Sequence, residues 1–213
     1  MSEPAAMPAR AVLVRQGQLY SRIALIYNAC EGLAAIITGV MAGSIALVGF
    51  GLDSVIEVVS GAAALWRLHA DVDVARREHA ERSALRIIGA CFLGLALYVG
   101  GDAGHALFRH EMPAATLPGT IVAALSVVVM PVLARRKRRI AIGLGSRALQ
   151  ADAAQTDLCV YLSAIVLLGL LLNATLGWWW ADPLAALVMT PIIAREGIEG
   201  LRGNDNCDHC GAS

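Results

Sequence analysis

Charged residues are scarce in this chain of 213 residues: Asp, Glu, Lys and Arg make up only 16% of it, against about a quarter in soluble domains. Aromatic residues are also few, at 5%, whereas hydrophobic residues make up 57%. The mean hydropathy is +0.63. No polar stretch is long enough to form a second, soluble domain. These shortages exclude an ordinary water-soluble fold and predict one compact domain that lies in a membrane.

Mostly apolar stretches of about 18 or more residues are long enough to cross a membrane as helices. Six such stretches are present, at residues 23–43, 46–66, 85–107, 117–134, 155–175 and 182–200. The sequence therefore predicts an all-α, polytopic membrane protein, with a bundle of six transmembrane helices over residues 23–200. An N-terminal segment, 1–22, precedes this bundle, and a short tail, 201–213, follows it. The N-terminal segment lacks the apolar core and cleavage site of a signal peptide, so we expect no cleavage.

Basic residues are distributed unevenly along the chain. Sixteen of the seventeen Lys and Arg residues lie in or beside the segments that a six-span topology places on one side, and only Arg109 falls on the other side. Because basic residues in short loops stay cytoplasmic, both termini are predicted to be cytoplasmic. The run RRKRR at 135–139 is flanked by predicted membrane helices. A basic run at this position is typical of a topology anchor that contacts anionic lipid, and not of a nucleic-acid site. We also expect the protein to lie in the bacterial inner membrane.

Five cysteines are present, and three of them lie within apolar stretches, where a free thiol packs as a small hydrophobe: Cys30, Cys91 and Cys159. Cys207 and Cys210 form CDHC in the tail, where a disulfide is not expected because the tail is predicted to be cytoplasmic. A thiolate pair favours a soft metal ion, but two thiolates do not close a tetrahedral site. Metal capture by the tail and a passive, reduced end are both open interpretations.

Two acids stand within the second apolar stretch, in FGLDSVIEVVSG at residues 50–61: Asp53 and Glu57. Residues four apart share one face of a helix. An ionised acid in hydrocarbon is costly, so such side chains face the protein interior or a water-filled path. The alternatives are a polar contact between packed helices, for which a single Ser or Thr would be enough, and two neutral acids near the membrane interface. The pair therefore predicts a functional site between the helices.

A second group of polar residues stands at the start of the fifth apolar stretch. Asp157 lies within the stretch, and Asp152 and Gln155 stand just before it. Carboxylates and amides are oxygen ligands for divalent metals, so acids from two helices are expected to converge on one cation. For Asp152 the alternative is an acid at a helix N-terminus, stabilised by the helix dipole.

Two further acids have a local interpretation beside a functional one. Glu31 lies one helical turn after Asn28 in the first apolar stretch. It is either a gating group of the path or a hydrogen-bond partner of a neighbouring helix. Asp182 precedes Pro183 in WADP, and because Pro is favoured at the first position of a helix, Asp182 is expected to cap the sixth helix.

Together these residues resemble the cation diffusion facilitator family, which exports zinc and related divalent metals from the cytoplasm. The resemblance implies six transmembrane helices with both termini inside. It also implies a transport site built from a D-x-x-x-D pair on the second helix and an H-x-x-x-D pair on the fifth. Asp53 and Glu57 match the first pair acid for acid, and Asp157 matches the aspartate of the second. QTD before the fifth span and WWWADPLAAL at 178–187 are also similar to the family.

The sequence departs from the family pattern in two places. The family's histidine falls on Ala153, which leaves three clear acids. Asp152 is offset from the histidine position by about 100° on a regular helix, so it fits only if the helix start is distorted. The family usually carries a cytoplasmic metal-binding domain that holds its dimer together, and only a short segment follows residue 200 here. We therefore expect a homodimer formed through membrane helices.

The resemblance implies divalent cation efflux, with zinc as the first expectation and iron, cobalt, manganese and cadmium as alternatives. No prosthetic group is expected. Several carboxylates held close together cannot all stay ionised, so metal binding releases protons and proton binding expels the metal. Between two conformations this is cation–proton antiport by alternating access. The candidate metal ligands are Asp53, Glu57, Asp157, Asp152, Glu31, Cys207 and Cys210.

Two other functions are alternatives to transport. A membrane protein that binds or senses metal without moving it is favoured by the missing histidine and the missing soluble domain. An intramembrane enzyme can also use paired acids, but the chain contains neither a GxGD element nor the multi-aspartate signature of lipid phosphotransferases. The sequence therefore predicts a transporter and not an enzyme.

Overall fold

The computed structural model of the chain describes residues 6–69, 74–110, 113–114, 116–145 and 147–202. Within these ranges the chain forms six helices and no strand: α1 (Ala6–Ala42), α2 (Ile45–His69), α3 (Val74–Arg109), α4 (Leu117–Leu144), α5 (Arg147–Leu176) and α6 (Ala181–Arg202). The predicted all-α class is thereby confirmed for the described part of the chain. Each helix extends at one or both ends beyond its predicted apolar stretch.

Among the described residues, five helices contain a segment long and apolar enough to cross a membrane: Val12–Ala42, Ile45–Ala62, Gly89–Arg109, Leu117–Leu144 and Asp152–Leu176. They correspond to the first five predicted spans. α6 is not one of them, because Asp182 at its start and Arg195, Glu196 and Glu199 near its end leave only residues 183–194 uncharged. The count of six spans and the cytoplasmic position of both termini stay predictions.

The outer faces of the helices carry large apolar side chains. Leu33 and Ile37 on α1, Leu125 and Val128 on α4 and Leu168 on α5 are all exposed. Polar side chains such as those of the acids on α2 are buried inside the bundle instead. A bilayer requires this arrangement, because its hydrocarbon offers no partner for a polar group.

α2 lies at the centre of the bundle. The most extensive contacts between helices are those of α1 with α2, α3 with α6, and α4 with α5. α2 also contacts α3, α5 and α6, so that four helices surround it. Phe50 and Leu47 of α2 are completely buried. This central position places the two acids of α2 away from the lipid-facing surface.

Two features determine how α1 and α2 lie against each other. Gly43 adopts a positive φ of 66° and ends α1, so that α2 begins two residues later. Gly32 and Gly51 lie at a close crossing: a Cβ atom at Gly51 would lie 2.9 Å from the backbone nitrogen of Ile36 and 3.0 Å from the carbonyl oxygen of Gly32. Only glycine allows this approach, which brings Glu31 against α2.

Candidate functional site

The two acids of α2 lie side by side in the interior of the bundle. Asp53 and Glu57 are each only 3% exposed. Asp53 interacts electrostatically with Glu57 and with Glu31 of α1. Asn28 of α1 lies beside Glu57 on the same side. The sequence predicts that the two acids share one face of α2, and both side chains are buried together inside the bundle.

α5 presents a polar face to α2. Asp152, Thr156, Cys159 and Ser163 are all buried, and their spacing of four, three and four residues places them on one face of a helix. The hydroxyl of Thr156 donates a hydrogen bond of 2.6 Å to Oε1 of Glu57. Thr156 of α5 thus contacts the α2 pair directly. Sequence reasoning missed it, although its position four residues after Asp152 was a usable signal.

Lys137 of α4 completes a group of four buried side chains. Its Nζ donates a hydrogen bond of 3.1 Å to Oδ1 of Asp152 and one of 3.0 Å to Oγ1 of Thr156. The same Nζ lies 3.9 Å from Oε1 of Glu57. We call Glu57, Lys137, Asp152 and Thr156 the lysine cluster. Sequence reasoning took the run around Lys137 as a surface anchor, although Lys137 is the only lysine in the chain.

Asp157 lies outside the lysine cluster. Its carboxylate pairs with Arg138 of α4, and both side chains are partly exposed, at 31% for Asp157 and 49% for Arg138. Successive residues of a helix point about 100° apart, so when Thr156 faces α2, Asp157 faces elsewhere. Ala153, the position of the family's histidine, is 1% exposed. The predicted role of Asp157 as a metal ligand stays a prediction.

Glu31 forms a second polar contact with α2 and α5. The hydroxyl of Ser54 donates a hydrogen bond of 3.1 Å to Oε2 of Glu31, and Sγ of Cys159 lies 3.9 Å from the same oxygen. The expected hydrogen bond to a neighbouring helix is therefore present. Among the described residues, Oε1 of Glu31 and Oε2 of Glu57 are buried without a hydrogen-bond partner.

Within the ranges that the structure describes, no three side chains of His, Cys, Asp or Glu are arranged so that they could hold a metal ion. The carboxylates of Glu57 and Asp152 are bound to Lys137 and Thr156 instead. Cys207 and Cys210 lie outside the described residues.

Comparison with known proteins adds a finding that covers most of the chain. Residues 21–204 match the family described as the cation efflux transmembrane domain. The cation-efflux pump FieF of Shewanella oneidensis is 31% identical over 113 residues, which cover 53% of this chain and 36% of that protein. Transmembrane protein 163 of Xenopus laevis is 33% identical over 120 residues, which cover 56% and 42% of the two chains.

An uncharacterised transporter of Methanocaldococcus jannaschii is 27% identical over 183 residues, which cover 81% of this chain and 63% of that protein. The chain therefore spans less than two thirds of the length of each of these three relatives.

Proposed function

Because this chain belongs to the cation efflux transmembrane family, we propose that it moves a divalent metal cation, with zinc as the first candidate, out of the cytoplasm. The resemblance to a cation efflux family that the sequence predicted is confirmed by the match over residues 21–204. The relative from Shewanella oneidensis is named a cation-efflux pump, which supports the same proposal.

The observation that carries the proposal is the burial of three carboxylates from two helices in the centre of the bundle. Asp53, Glu57 and Asp152 are 3%, 3% and 1% exposed, and Thr156 joins Glu57 to the helix of Asp152. Burial of carboxylates is costly unless their charge is compensated. Carboxylate oxygens are ligands for divalent cations, so a transported metal ion would provide this compensation during part of the cycle.

The other predicted ligands are also part of the proposal, and each is supported by a different observation. Glu31 has a buried oxygen without a hydrogen-bond partner among the described residues and lies near Asp53. For Asp157 the support is the family motif alone. For Cys207 and Cys210 the support is the CDHC motif, which would bind metal and deliver it to the bundle.

Exchange for protons is the second part of the proposal. Buried carboxylates that share one site can hold protons in place of a divalent cation. Binding of the metal would release protons, and return of protons would expel the metal. We further propose that the protein works as a homodimer through membrane helices, in contact with anionic lipid.

Flux into sealed vesicles tests this function. The purified chain is reconstituted, zinc is added outside, and a zinc-sensitive dye inside the vesicles reports uptake. We expect saturable uptake that an acidic vesicle interior accelerates, because outward proton movement then drives inward metal movement. Glu57→Gln should abolish the uptake, whereas Glu199→Gln, in an exposed pair with Arg195, should not.

Each contrary result removes a separate part of the proposal. Saturable zinc binding without any flux would show a sensing or storage protein in place of a transporter. Uptake that ignores the pH gradient would remove the antiport. Full uptake by the Glu57→Gln protein would remove the proposed site.

A further inference from the structure

The chain contains one lysine among its seventeen basic residues, and this lysine is buried. Lys137 is 4% exposed, whereas the arginines on either side of it in the run 135–139 are exposed. A surface anchor needs neither a lysine nor a buried residue at this position. The exception within the run therefore requires an explanation of its own.

The surroundings of Lys137 are those of a cation-binding site. Its Nζ lies 3.1 Å from both carboxylate oxygens of Asp152 and 3.0 Å from the hydroxyl oxygen of Thr156. Oε1 of Glu57 is 3.9 Å away, and the hydroxyl of Thr156 donates a hydrogen bond of 2.6 Å to this oxygen. An ammonium group is a compact point charge with three donors, and here oxygen atoms from three side chains surround it.

We propose that Lys137 is a tethered cation. In the metal-free protein its ammonium group occupies the position between Glu57 and Asp152 that the divalent metal takes in the loaded protein. The inference rests on the proposed function, since it assigns a competitor to the proposed metal site.

The two cations exclude each other for electrostatic reasons. A metal ion bound to Glu57 and Asp152 would lie within a few ångströms of Nζ, and repulsion between cations at that distance is strong where little water screens it. The lysine stem has four flexible carbons, so the ammonium group can leave toward the end of α4 without unfolding the helix. Metal entry therefore requires displacement of Lys137, and its return promotes metal release.

The tethered cation would also favour divalent over monovalent ions at the proposed site. A monovalent ion carries the same charge as the ammonium group that it would displace, so its Coulomb attraction to Glu57 and Asp152 is no stronger. At the same distance the attraction of a divalent ion to these carboxylates is twice as strong. Lys137 thus acts as a specificity-determining residue of the proposed site.

Calorimetry at one fixed pH gives the first test, on the purified full chain with zinc alone as the ligand. Lys137→Met removes the charge and keeps most of the length of the side chain, so we expect zinc to bind about tenfold more tightly or better, the coupling typical of close charge pairs. Arg139→Met removes an exposed charge from the same run and should leave zinc affinity unchanged. Zinc binding by Lys137→Met that is equal to or weaker than that of the parent would show that the lysine does not compete with zinc, and would overturn the inference.

Amine labelling gives a second test that needs no variant of Lys137. Because the chain has a single lysine, an amine-reactive ester marks only this side chain and the N-terminus, and peptide mass spectrometry separates the two. We expect slow labelling without zinc and labelling several-fold faster with saturating zinc. Glu57→Gln, which should bind no zinc, serves as the control and should show no acceleration. Unchanged or slower labelling of the zinc-loaded parent would overturn the inference.

The two tests separate this inference from the proposed function. If the parent protein binds no zinc, the proposed metal site fails. If the parent binds zinc, but Lys137→Met binds it no more tightly and zinc does not speed up the labelling of Lys137, only the inference about the tethered cation is wrong. Should Lys137→Met not fold, the labelling of the parent protein still decides between the two outcomes.

Discussion

Asp182 of α6 accepts a hydrogen bond of 3.0 Å from the backbone N–H of Ile45, the first residue of α2. The hydroxyl of Ser44 donates to the other carboxylate oxygen. The first N–H groups of a helix have no partner within it, and a carboxylate there acts as a cap. The sequence indicates Asp182 as the cap of its own helix, but α6 already begins at Ala181. Its side chain caps α2 instead and ties α6 to the helix that carries the proposed site.

Asp182→Ala should therefore destabilise the bundle. Loss of a cap together with buried N–H groups left unpaired costs about 1–2 kcal/mol of unfolding free energy. The thermal midpoint in detergent measures the effect. Glu199→Ala, which removes an exposed pair with Arg195 on the same helix, is the control and should change the midpoint little. A midpoint shift no larger than that of the control would contradict the capping role.

The two acids of α5 should differ in their effect on zinc affinity. Asp152 is buried in the lysine cluster, whereas Asp157 is partly exposed and pairs with Arg138. We expect Asp152→Asn to weaken zinc binding more strongly than Asp157→Asn, because the former side chain lies beside Glu57. Calorimetry on the two purified variants makes the comparison. Equal losses, or a greater loss in Asp157→Asn, would indicate that α5 turns to present Asp157 when metal binds.

Ala153→His tests the position of the family's histidine. Ala153 is 1% exposed, so an imidazole there has to displace packed neighbours, at a cost of about 1–3 kcal/mol. On a regular helix residue 153 points about 40° away from Asp157 and about 60° away from Thr156, but about 100° away from Asp152, so an imidazole there does not point in the direction of the Asp152 carboxylate. We therefore expect a lower thermal midpoint and no gain in zinc affinity. Tighter zinc binding with a preference over manganese would show the opposite, that residues 153 and 157 face the metal together.

Gly51→Ala should loosen the contact between α1 and α2. The added Cβ would lie 2.9 Å from the backbone nitrogen of Ile36, and backbone atoms cannot yield as the end of a side chain can. We expect a lower thermal midpoint, with a cost of about 1–3 kcal/mol, and weaker zinc binding if Glu31 takes part. Gly94→Ala is the control, because in the described part of the chain nothing beyond the neighbouring helix backbone lies within 4 Å of its added Cβ, and it should be neutral or stabilising. Equal midpoints in the two variants would disprove the close crossing.

Much of the architecture could be predicted from sequence because it depends on local properties. The length of each apolar stretch indicates a membrane helix wherever the chain places it. The spacing of Asp53 and Glu57 puts both acids on one face of α2 in any fold that keeps the helix. α6 was the exception, since charges at both of its ends leave its uncharged part short.

The sequence by itself therefore determined the helical class, the apolar segments and the two buried acids of α2. Only the tertiary structure decided which residues meet them. The local sequence pattern does not distinguish Lys137 from the arginines beside it. The packing of α4 against α5 buries Lys137 and leaves these arginines exposed. The choice between Asp152 and Asp157 depends likewise on the rotation of α5 about its axis. That rotation is set by contacts with α2, α4 and α6. A local sequence pattern cannot predict it, because the partners that stabilise a buried charge lie far away in the chain.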